Sequence, residues 1–135
     1  MREMAWHGKR LVAIAGDDTH RPRHFCQAWT MFKAPELSHK AIIEALQKGN
    51  CYASTGPEIK ELYVEDGVVH IKTSEAQGIF MATAGRRKPA ELVPFESEEC
   101  VTEAAFPLDE SDVFFHIIVR DMHGRPAATR IYFLY

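Results

Sequence analysis

Gly56-Pro57 divides this sequence into two parts of different character. Proline cannot donate to a β-ladder and restricts the residue before it, so a Gly-Pro pair interrupts any regular element. Before the pair, apolar runs of strand length flank one stretch of helical period. After it, apolar and polar residues alternate with period two, and turn residues recur about every ten positions.

The second part reads as all β. Residues 60–65 and 68–73 alternate around Asp66-Gly67, a dipeptide suited to a type I′ hairpin because both turn positions need positive φ. Residues 79–84, 91–95, 101–106, 113–120 and 129–134 read as further strands, separated by Gly78, Gly85, Pro89, Pro94, Pro107, Asp109 and Gly124. In the 113–120 run, Val113, Phe115, Ile117 and Val119 share one face. Short strands at this spacing argue for an antiparallel, immunoglobulin-like β-sandwich over residues 58–135.

The first part, residues 1–57, reads as αβ. Residues 1–10 resemble a helix end with Gly8 at C′. Residues 11–15 (Leu-Val-Ala-Ile-Ala) read as a buried strand, residues 21–26 as an irregular loop around Pro22, and residues 28–34 as a second strand. A helix is expected after Ser38, a favourable N-cap, with Leu37 and Ile42 spaced for a hydrophobic staple. Ala41, Ile42, Ala45 and Leu46 form its apolar stripe, and Gly49-Asn50 ends it. Residues 51–55 return as a strand. A piece this small cannot bury both faces of its own sheet, so it is expected to pack on its own sandwich or on a second copy.

Between the first two predicted strands lies Gly16-Asp17-Asp18-Thr19-His20. In extended backbone Asp18 and His20 leave the same face. A carboxylate oxygen and an imidazole nitrogen converging there suit Zn, Mn or Fe. Asp17 and Thr19 are candidates to orient His20 from behind or to shape the loop. The alternative is a polar loop in which Asp17 or Asp18 caps a turn. His24 either reaches this site or is an exposed loop histidine.

The ordered set of D-x-H at 18–20, the run Ala28-Trp29-Thr30-Met31-Phe32-Lys33-Ala34, the 41–49 helix, Tyr52-Ala53-Ser54-Thr55-Gly56-Pro57 and the tail Val119-Arg120-Asp121-Met122-His123-Gly124-Arg125-Pro126-Ala127 resembles the C-terminal part of bacterial two-domain PHP (polymerase and histidinol phosphatase) superfamily phosphoesterases. The resemblance implies an α+β chain: a short αβ remnant of a PHP (β/α) barrel followed by the sandwich. It also implies that Asp18 and His20 are the last ligand pair of a divalent metal cluster (Zn, Mn or Fe) whose bridging water attacks a phosphoester. Tyr52, Ser54 and Thr55 would stand at a strand end where hydroxyls could meet a phosphate oxygen; the alternative is that Ser54 and Thr55 form the turn into the next segment.

The family's first motif, H-x-H, is missing here, and His39, His70, His116 and His123 do not pair at that spacing. Two ligands fall short of the three protein groups of a catalytic metal, so the chain alone is expected to be inactive and to hold little or no metal. It reads as a C-terminal segment of a larger enzyme, either excised from it or a truncated gene product. The alternative is a non-enzymatic binding or oligomerisation module with a vestigial D-x-H.

Composition narrows the partners. Apolar residues make up 46% of the chain and the net charge is −3, which supports a packed core and disfavours nucleic acid. The one basic cluster, Arg86-Arg87-Lys88, suits a hairpin tip. No run approaches the roughly 20 apolar residues of a membrane span, and Cys26, Cys51 and Cys100 fit reduced thiols of a cytoplasmic protein. There is no G-x-S-x-G and no P-loop motif. Expected partners are a phosphoester substrate and either a second copy or a separate catalytic segment. A sugar-binding sandwich would need Phe114, Phe115, Tyr132, Phe133 and Tyr135 exposed together.

Overall fold

The structure, a computed structural model, describes residues 7–84, 90–94 and 99–134. Its elements in order are β1 (Trp29–Phe32), α1 (His39–Lys48), β2 (Cys51–Ser54), β3 (Ile59–Glu65), β4 (Val68–Ala76), β5 (Gly78–Thr83), β6 (Ala90–Leu92), β7 (Val101–Pro107), β8 (Phe114–Arg120), β9 (Pro126–Thr129) and β10 (Tyr132–Phe133). The strands form two antiparallel sheets. The wide sheet runs β1-β2-β9-β8-β5-β6, with β10 also on β8; the narrow one runs β3-β4-β7.

Alternation along the strands builds the core between the sheets. Val69, Ile71, Ala104 and Phe106 of the narrow sheet meet Ile79, Met81, Phe115, Ile117, Val119 and Ala127 of the wide one. Val113 does not join this face; it precedes β8 and is exposed. The β3–β4 turn has positive φ at both Asp66 and Gly67, the backbone a type I′ turn requires.

Helix α1 ends where its sequence says. Ser38 Oγ accepts from the Ala41 N–H at 3.2 Å. At the other end Gly49 is left-handed (φ 68°). Its N–H reaches Leu46 O and the Asn50 N–H reaches Ala45 O, the paired bonds of a Schellman motif. The staple does not form: Leu37 is 95% exposed.

Two other expectations are corrected. Residues 11–15 are not a strand. A strand needs a ladder, and at Ala15 the backbone N–H and C=O are both taken by the Thr30 hydroxyl (3.0 and 2.9 Å); Ile14 is 66% exposed. The 129–134 run is two strands, because Thr129 Oγ1 accepts the Ile117 N–H at 3.0 Å and donates to Arg130 O, ending β9 and turning the chain before β10. Strands β1 and β2 pair antiparallel with each other and β2 pairs antiparallel with β9. The strands of the αβ part thus extend the sandwich's own wide sheet, the first of the two packings expected of it. Residues 1–6, Arg86-Arg87-Lys88, Phe95 and Tyr135 lie outside the described residues.

Candidate functional site

The D-x-H segment sits on the loop that leads into β1, at the edge of the wide sheet. Asp17 builds this loop. Its carboxylate accepts three successive backbone N–H groups, from Cys26 (2.6 Å), Gln27 (2.7 Å) and Ala28 (2.8 Å). The Ala28 bond contributes most to holding the Asp17 carboxyl below its usual pKa; partial desolvation opposes it, and the Gln27 and Cys26 bonds and nearby His24 reinforce it. The loop therefore closes on an ionised Asp17. A 3-10 turn over Pro22–His24, with proline in the first turn, carries the chain across.

Closing the loop presents Asp18 and His20 outward. Their side chains are 96% and 71% exposed, with His20 Nδ1 3.5 Å from Asp18 Oδ1 and 3.1 Å from Asp18 O. A proton on Nδ1 suits both oxygens, which leaves Nε2 with the free lone pair. His24 stands beside them: its Nδ1 accepts the His20 N–H at 3.2 Å, and the two rings meet edge-on at 6.4 Å. With Nδ1 so engaged, and Arg23 Nε 3.5 Å from its Nε2, His24 supports the loop. Thr19 Oγ1 lies 3.5 Å from His24 O.

Two donors of the right kind are thus present on the loop. Among the described residues no group of three or more His, Cys, Asp or Glu side chains is placed to hold an ion, whereas catalytic sites use at least three protein ligands. Asp18 and His20 fit one corner of a coordination shell.

The other candidates are occupied elsewhere. Tyr52 Oη accepts the Ile59 N–H at 3.0 Å, tying β2 to β3, and burial pushes its pKa up. Ser54 is buried; its hydroxyl donates to Pro57 O (2.7 Å) and accepts from the Gly56 N–H (3.0 Å). Thr55 Oγ1 donates to Pro126 O. Ser54 and Thr55 therefore shape the turn at Gly56-Pro57. His116 is buried in β8, Phe114 and Phe115 are buried and Tyr132 and Phe133 half-buried, so these four aromatics do not form a fully exposed platform. Arg130, hidden in a predicted strand, emerges as a central cation of the wide sheet: it stacks over Tyr132 at 4.7 Å and Nη1 donates to Lys48 O at 3.1 Å. Nothing in its local sequence marks that role, which depends on the break after Thr129.

Comparison with known families picks out the segment just described. Residues 7–51 match the sequence model of the PHP-associated family. The match covers about a third of the chain and takes in the Asp17 loop, the D-x-H pair, β1, α1 and the first residue of β2. It supports a PHP-associated region here. Neither the curated proteins nor the solved structures gave a match. Among the described residues no helix is long and apolar enough to cross a membrane.

Proposed function

We propose that this chain is the C-terminal part of a PHP-type metal-dependent phosphoesterase, supplying Asp18 and His20 to a metal centre whose other ligands belong to a separate catalytic segment. The observation that carries this reading is the PHP-associated match over 7–51, which includes an outward-facing carboxylate–imidazole pair. The Asp17 clamp supports it, since three short hydrogen bonds fix the loop while Asp18 and His20 stay in solvent. A pair whose purpose was to stabilise the loop would point inward, as Asp17 does.

In this reading Asp17 positions the loop, Asp18 and His20 are the ligands, and a bound divalent metal would supply Lewis acidity toward a phosphoryl oxygen. The sandwich is the accessory domain that anchors the loop through β1. The chain alone does not turn over phosphoesters, because its ligand set is incomplete.

A Zn²⁺ titration of the chain followed by calorimetry, beside an Asp18→Ala/His20→Ala variant, tests the proposal. The expected result is weak saturable binding that the double substitution abolishes, with no hydrolysis of p-nitrophenyl phosphate by either protein. Binding of equal strength in the variant would overturn it.

A further inference from the structure

The two sheets differ in width, and the difference leaves an open cleft. Contacts between layers pair β7 with β5 and β6, and β4 with β8. Among the described residues the narrow sheet ends at β3, whereas the wide sheet continues through β2 to β1. The cleft there has a volume of about 800 Å³, within the roughly 300–1,000 Å³ of small-molecule sites. Met31, Tyr52 and Thr129, paired across β1, β2 and β9, form one row along it, and the 59–63 stretch of β3 makes a wall.

Its charge is one-sided. Lys33, Lys60 and Arg130 line it, and the one acid among the described lining residues, Glu61, is paired with Lys72 at 3.0 Å. Arg130 is held in place by Lys48 O and by the Tyr132 ring, yet among the described residues its buried Nε has no hydrogen-bond partner. An unmet buried donor is costly, and more so on a charged group. A small rotation of the guanidinium onto an incoming oxyanion would satisfy Nε and form a charge-assisted bond. The remaining lining, Met31, Tyr52, Ile59 and Leu62 among it, offers apolar and aromatic surface.

We propose that this cleft binds a small organic oxyanion, with the phosphate or carboxylate head on Arg130 and Lys60 and an apolar body along Met31 and Tyr52. The site is separate from the D-x-H loop and does not depend on the metal-ligand reading. Lys33 and Lys60 steer the anion, Arg130 fixes it, and the overhang of β1 and β2 shields its apolar portion.

The test is an amide-shift titration of the whole chain with phenyl phosphate, benzoate and the neutral benzyl alcohol, repeated on Arg130→Gln and Lys60→Gln. Saturable shifts at Asn50, Arg130 and Tyr132 are expected with at least one of the anions and not with benzyl alcohol. The tighter anion identifies the head group. Arg130→Gln weakens binding about tenfold, as loss of a charge-assisted bond should, and Lys60→Gln about two- to threefold. Lys60 is exposed, so its substitution remains informative should Arg130→Gln fail to fold. Equal response to benzyl alcohol, shifts scattered over surface lysines, or unchanged affinity in a folded Arg130→Gln or in Lys60→Gln would overturn the proposal.

Discussion

Gly49→Ala tests the coupling between the end of α1 and the Arg130 cluster. Gly49 has φ +68°, and a Cβ there would lie 2.8 Å from Arg130 Cδ and 2.9 Å from Nη1. Two costs follow. The left-handed backbone costs an alanine about 1 kcal/mol. The clash falls on a flexible side chain, so Arg130 moves rather than the backbone, giving up its bond to Lys48 O and its place over Tyr132. The partly exposed bond is worth about 1 kcal/mol and the stacking about 0.5 kcal/mol. Gly49→Ala should therefore destabilise by about 2.5 kcal/mol. In an Arg130→Ala background the clash has no object, and only the backbone cost of about 1 kcal/mol remains. Urea unfolding of the four proteins in a double-mutant cycle gives the coupling directly; about 1.5 kcal/mol is expected from those two lost contacts. The same penalty in both backgrounds would refute the argument that Gly49 makes room for Arg130.

Asp17 should make the loop sensitive to acid. Its carboxyl titrates below the usual value in the folded chain, so the stabilisation is full above the unfolded pKa of about 4 and is lost as pH falls through the lower folded value. The amide shifts of residues 26–28 should hold steady from neutral pH to about 4 and move only below it; in Asp17→Asn that transition disappears and those amides exchange faster. An unchanged acid transition in Asp17→Asn would exclude the clamp. Ser38→Ala removes the N-cap bond to Ala41 and should cost about 1 kcal/mol in urea unfolding, whereas Leu37→Ala, at a 95% exposed position, should change stability by less than about 0.5 kcal/mol.

Local chemistry made some elements legible and not others. Ser38, Gly49 and Asp66-Gly67 set their own backbone geometry, so the helix and the hairpin follow from the residues. The β8 face followed from alternation, since Phe115, Ile117 and Val119 point into a core that the period-two pattern presupposes. Residues 11–15 have strand composition, but composition supplies no ladder partner, and the Thr30 hydroxyl took both backbone groups of Ala15. The joining of β1 and β2 to β9 was equally hidden, because Thr129 and Pro126 are over seventy positions downstream of β2. At the candidate site, the D-x-H spacing indicated the outward pair, but only the fold separates Asp17, with its three N–H partners, from Asp18, with none of them. Leu37 failed as a staple because spacing gives an opportunity for contact, not the contact.

Different residues do different work on one loop: Asp17 holds it, and Asp18 and His20 face outward. The most direct measurement is a map of Mn²⁺-induced line broadening across the amide spectrum at substoichiometric metal, in the wild type and in Asp18→Ala/His20→Ala. The account predicts broadening centred on residues 17–24 that vanishes in the double variant while the Asp17 clamp, read from residues 26–28, stays intact. Broadening spread over the surface carboxylates, or centred on the loop but unchanged by the two substitutions, would contradict it.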